Sequence, residues 1–170
     1  MSVKKEASGR RSVPGSTQSA VERRSAEAEL RTLIAKFAPA HLRLIGAMRR
    51  WLRKRLPTAH EVVYEYRDFF VISYSPNERG YEGVLGIRAD AEGVRLYFTR
   101  GKELPDPKKL LQGSAQTRWI DVEGAPTLAR PEIVSLIDEA IDSNRVPFAR
   151  TGRGSVVIRS TSAERRRRTT

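Results

Sequence analysis

Apolar positions along the chain recur first at helical and then at alternating spacing. Leu30, Leu33, Ile34 and Phe37 predict a first helix, with Ser25 as its cap, Glu27 and Glu29 near its positive end and Pro39 as its stop. A second helix spans about residues 40–56, where Leu42, Ile45, Met48, Leu52 and Leu56 form a stripe that Pro57 ends. Four extended segments follow: HEVVYEY from His60, FFVISYS from Phe69, GVLGIRA from Gly83 and GVRLYFT from Gly93. Arg67-Asp68 and Asp90 to Gly93 are short enough for hairpin turns, the second ending in a glycine suited to positive φ, and such connections imply antiparallel pairing. In the fourth segment Val94, Leu96 and Phe98 alternate with Arg95, Tyr97 and Thr99, as expected when helices cover one side of a sheet. Residues 117–122 make a fifth strand. A last helix begins near Pro131 with Ile133, Leu136, Ile137, Ala140 and Ile141 inward, and Val156-Val157-Ile158 is a brief edge strand or docks against the domain. The fold class is α+β, an antiparallel sheet of about five strands packed against helices.

The block GKELPDPKKLLQGSAQTRWIDV, Gly101 to Val122, interrupts this pattern. Pro105 and Pro107 lack amide donors and bias the residue before each toward extended geometry, so Asp106 reads as an N-cap and Pro107 as the first position of one short turn over Lys108 to Leu111. Gly113 lets the chain leave that turn, and Trp119 resumes the strand. The block reads as a structural motif, with Lys102, Lys108 and Lys109 solvated.

Composition adds boundaries. The chain of 170 residues has no cysteine, which removes disulfides, thiolate metal sites and cysteine nucleophiles and fits a reducing cytoplasm. No apolar run approaches the roughly 20 residues of a membrane helix, and the first residues lack a signal peptide's apolar core. The net charge of +12 is uneven: residues 1–24 carry six Lys/Arg against two Glu, residues 145–170 carry eight Arg against one Glu, and residues 25–144 are nearly neutral. This predicts a disordered basic tail over 1–24, a domain over 25–144 and an Arg-rich extension over 145–170, with salt-sensitive, nonspecific attraction of the tails to nucleic acid. The sequence leaves the oligomeric state open.

Candidate chemistry is sparse. His41 and His60 lie in no metal-spaced motif and beside no evident nucleophile, and the glycines from Gly80 to Gly101 match no phosphate-binding or dinucleotide loop. No nucleophile, base and orienting residue pair up, so the expectation is a non-enzymatic protein. Glu61 and Glu65 share one face of the first strand, while Glu132, Asp138, Glu139 and Asp142 line the reverse face of the last helix, as oxygen donors for a hard cation such as iron or as a solubilising stripe. Arg43, Arg50, Arg53 and Lys54 fall in one arc of the second helix, with Arg49 beside it. That arc, together with Arg165, Arg166, Arg167 and Arg168, offers contacts to nucleic-acid phosphates or is a solvated face. Tyr64, Tyr66, Phe69, Phe70, Tyr74, Tyr97 and Phe98 are core residues or a stacking platform of the kind single-strand binders use.

The two N-terminal helices, LPTAHEVVYEYRDFFVISYS, the block from Gly101 to Val122 and the closing PEIVSLIDEAI together resemble the YdhG-like family over about residues 27–160. This is a family of unknown function that includes a frataxin-like intracellular iron chaperone. The resemblance implies a frataxin-like α+β fold, a non-enzymatic role and iron or iron-using proteins as partners. It supplies no ligand set, and the near-neutral domain lacks a heavily acidic surface.

Overall fold

In the computed structural model, which describes residues 18–160, the chain is α+β. Three α-helices, α1 (Ala20–Phe37), α2 (Leu42–Arg55) and α3 (Pro131–Asp142), accompany six strands: β1 (His60–Glu65), β2 (Phe70–Ser75), β3 (Leu85–Ala89), β4 (Val94–Phe98), β5 (Arg118–Val122) and β6 (Val156–Ser160). The sheet order is β5-β4-β3-β2-β1-β6, antiparallel throughout except that β6 runs parallel to β1. The sixth strand is the 156–158 edge segment, extended by two residues.

Register explains the two faces. Val63 pairs with Ile72, Ile72 with Ile87, Ile87 with Leu96 and Leu96 with Ile120, so one apolar row crosses five strands. With Phe70, Tyr74, Leu85 and Phe98 it meets Leu30, Ile34, Phe37, Ile45, Met48 and Leu52 of α1 and α2, and Ile133, Leu136 and Ile137 of α3. Alternation sends Tyr64, Val71, Ser73, Gly86, Arg88, Arg95, Tyr97 and Trp119 to the side opposite the three described α-helices.

Several boundaries differ from the sequence reading. Ser19, not Ser25, caps α1: its hydroxyl accepts from the Glu22 amide at 3.1 Å while the Glu22 carboxylate accepts from the Ser19 amide at 2.8 Å. This reciprocal capping box makes residues 20–24 helical rather than part of a disordered tail. The remainder of that tail, residues 1–17, and residues 161–170 with Arg165 to Arg168 lie outside the described residues. No helical turn forms after Pro107. Asp106 instead accepts from the Leu110 and Leu111 amides at 2.9 and 2.8 Å, and Lys109 turns through a φ of 52°. A carboxylate holding amides four and five residues on closes a wider loop than an N-cap does. Gly93 needs no positive φ, because the Asp90 carboxylate holds that turn through the Glu92 and Gly93 amides.

An ion-pair network ties α1, α2 and β1 together beneath the sheet. Arg49 donates to Glu61 at 2.8 and 3.0 Å and to Glu27 at 2.9 and 2.8 Å, Arg53 bridges the same two carboxylates, and the buried Tyr74 hydroxyl donates to Glu61 at 2.9 Å. Hydrogen bonds from Arg49 outweigh the opposing effect of burial and hold the Glu27 carboxyl at about 2. Burial, reinforced by Glu61, pushes the Tyr74 phenol well up.

Three stability predictions follow from these contacts. Ser19→Ala lowers stability by about 1 kcal/mol through loss of the cap, whereas Ser25→Ala, on an exposed position inside α1, changes it by less than about 0.5 kcal/mol. Urea titration distinguishes the two. Glu61→Gln leaves Arg49 and Arg53 short of a buried counter-charge and costs about 3 kcal/mol. Because the Glu27 pKa is depressed in the folded state, its stabilisation is complete above its ordinary value of 4.5 and is lost as pH falls toward about 2, which acid unfolding of Glu27→Gln beside the parent protein reads directly.

Candidate functional site

The side of the sheet opposite the α-helices is concave. The turn joining β1 to β2, the loop through Gly80 and the loop through Ala115 and Thr117 surround a groove of about 680 Å³, within the range of ligand sites. The last of these rims comes from the Gly101–Val122 block. Gln112 and Trp119 exchange backbone hydrogen bonds at 2.8 and 3.1 Å, and Gly113, at a φ of 106°, lies against the Trp119 ring, where a Cβ would come within 2.5 Å of Cζ3. Only glycine combines that conformation with that approach.

Two further glycines shape the floor. A Cβ on Gly86 would lie 2.3 Å from the Ile72 carbonyl oxygen and 2.4 Å from the Tyr97 hydroxyl, and one on Gly80 would overlap the Tyr64 hydroxyl. The Tyr97 ring therefore lies across β3 with its hydroxyl bonded to Ser73, and burial pushes that phenol up. Tyr64 bonds the Gly80 backbone, and burial raises it as well.

Aromatic rings and guanidiniums alternate over this floor. Tyr66 and Phe69 stack with centroids 4.6 Å apart, Arg88 lies 3.9 Å from the Phe69 centroid and Arg95 lies 5.0 Å from that of Trp119. Arg95 also pairs with Asp121 at 3.3 Å. Arg88, on the central strand β3, has no carboxylate partner among the described residues, and its Nε and the Trp119 Nε1 are buried donors without an acceptor. Each such donor costs about 1–3 kcal/mol.

The aromatic residues singled out in the sequence thus divide by strand parity. Phe70, Tyr74 and Phe98 belong to the core, while Tyr64, Tyr66, Phe69 and Tyr97 line the groove with Trp119. Arg88 and Trp119 were not picked out as ligand contacts. GVLGIRA does carry a readable signal for the first, since Arg88 shares the parity of Gly86 opposite the apolar Leu85, Ile87 and Ala89.

The carboxylates do not converge. Glu61 is held by Arg49, Arg53 and Tyr74, Glu65 by Lys36 at 2.6 Å, Asp138 by Arg55 and Glu132 by Arg130, while Glu139 and Asp142 face solvent on α3. Among the described residues no three His, Cys, Asp or Glu side chains gather where a metal ion would sit. The basic arc of α2 divides as well. Arg43, Arg50 and Lys54 are exposed, but Arg53 turns inward to Glu27 and Glu61 because it stands one helical turn from Arg49 on the edge of the packed face. Of the block's structural residues, Pro105, Asp106 and Pro107 face a separate surface recess against α3.

His60 has a neighbour that the sequence hides. Its Nδ1 lies 2.6 Å from the Ser155 Oγ and accepts from the Ser155 amide at 3.1 Å, and Ser155 Oγ donates to Glu78 at 2.9 Å. The acid holds the serine and not the histidine, and Ser155 is buried, so this cluster lacks the order and access of a hydrolytic triad. It pins β6 to β1. The chain matches no family model, no curated protein and no solved structure.

Burial, with Arg23 adding to it, lowers the His60 pKa despite the opposing Glu78. A depressed folded-state value means that the neutral ring's contribution is complete above the ordinary value of 6.5 and declines as pH falls below it. The urea midpoint should therefore fall more steeply between pH 7 and pH 5 for the parent protein than for His60→Gln.

Proposed function

We propose that the chain is a non-enzymatic binding protein whose open sheet face takes single-stranded nucleic acid. The observation that carries this reading is Arg88, a cation without a carboxylate partner among the described residues, stacked on Phe69 at the centre of an aromatic groove and holding a buried donor without an acceptor. A ligand suited to that surface has flat rings and negative charge, and nucleotides combine both. Stacking on Tyr66 and Trp119 supplies affinity with little dependence on sequence, while Phe69, covered by Tyr66 and Arg88, supports them and Arg88 and Arg95 meet phosphates or base edges. The basic segments at both ends of the chain add long-range attraction and salt dependence. Duplex DNA buries its ring faces in the base stack, so the groove favours single strands.

Fluorescence anisotropy with a labelled single-stranded oligonucleotide and the matching duplex tests this. Stacking is worth about 1–3 kcal/mol per base, so Trp119→Ala weakens single-strand binding roughly 5- to 150-fold. Tyr66→Ala, on the exposed rim, weakens it without endangering the fold. Arg88→Gln lowers affinity and reduces the salt slope by about 0.7. Equal affinity for single strand and duplex, unchanged in all three variants, would assign binding to the basic tails alone and end the proposal.

A further inference from the structure

On the opposite side of the sheet, α1, α2 and the segment leading into β6 enclose a second candidate site. Two adjoining clefts, of about 380 and 790 Å³, share Arg23, Arg53 and Arg153 as lining residues, and Lys54 borders the smaller one. The acids facing these clefts, Glu27 and Glu61, are both bound by Arg49 and Arg53. Arg23, Lys54 and Arg153 are therefore left in excess of the local negative charge. Arg23 donates to the Gly154 carbonyl, which draws the segment carrying Arg153 over the cleft. That segment is tightly seated: Gly152 adopts a φ of 97°, and a Cβ on Gly154 would lie 1.7 Å from the Ala59 carbonyl oxygen. Burial, followed by the nearby charges of Arg153 and Arg53, lowers the Arg23 pKa, as expected for like cations held together.

We infer that this cationic cleft binds a compact, multiply charged phosphate anion of diphosphate size. Planar guanidinium forks match phosphate oxygens in pairs, and an anion between Arg23 and Arg153 converts their repulsion into shared attraction. Two connected clefts bordered by separated cations suit two linked phosphates better than one. The site is independent of the aromatic groove, since the two lie on opposite faces of the sheet and share no lining residue.

The test is titration of the full-length, 15N-labelled protein with inorganic pyrophosphate at constant ionic strength, followed by NMR. Saturable shifts are expected at the Gly152, Arg153 and Gly154 amides and at the Arg23 Nε–H. Arg153→Ala combined with Lys54→Ala, both exposed positions, should weaken binding at least roughly tenfold, and Trp119→Ala should leave it unchanged. A nucleoside diphosphate that binds more tightly than pyrophosphate assigns the phosphates to a nucleotide, and equal affinity assigns them to the inorganic anion. Shifts confined to residues 1–17 and 161–170, an affinity unchanged in the double variant, or sulfate binding as tightly as pyrophosphate would each overturn the inference.

Discussion

The constraint on which this structure depends is the parity of the β-strand. Once Val63, Ile72, Ile87, Leu96 and Ile120 align as one buried row, every intervening residue is committed to the other face. All three helices lie against the apolar row, so the other face must be finished by its own side chains and by the loops at its rim. That is why tyrosines, a tryptophan and arginines collect there, each able to present an apolar surface and a polar end.

Parity also determined what could be read in the sequence. Strands with a clean alternation, such as Val94 to Phe98, showed their faces at once, and α2, with its continuous stripe, kept its extent within two residues at each end. Features closed by side chains reaching across the chain were less accessible. The capping box at Ser19 lay within a stretch whose composition resembles a tail, and the Asp106 loop uses residues that elsewhere start helices. The groove was half visible. A platform of aromatic residues was open from the sequence, but assigning each ring to a face required the register of five strands, and the contact between Gly113 and Trp119 required the folded loop.

Charge gives the same lesson in another form. Glu61 and Arg53 stood out in the sequence as a candidate cation ligand and a candidate phosphate contact. In the fold they bind each other, with Arg49, Glu27 and Tyr74 completing the network. A buried ionic group of this kind adds little to stability over a well-packed apolar cluster, yet removing one member is costly. It fixes how α1 and α2 sit on β1, and by absorbing Glu27 and Glu61 it leaves the neighbouring cleft rich in unmatched cations.

The side chain of Gln18 behaves as a one-residue strand on the edge of β6, donating to the Val156 carbonyl at 2.7 Å and accepting from the Val156 amide at 3.0 Å. The described chain thus begins beside β6 and ends on it, four residues further along, a separation of about 13 Å at the usual rise of a strand. Residues 1–17 and 161–170 together contribute half of the net charge of +12, and both segments attach at this one border of the sheet. The described residues 18–160 carry the other half, so the two basic segments add their charge to a body that is itself cationic. A polyanion is therefore attracted by the folded body as well as by the segments that join it at the β6 border.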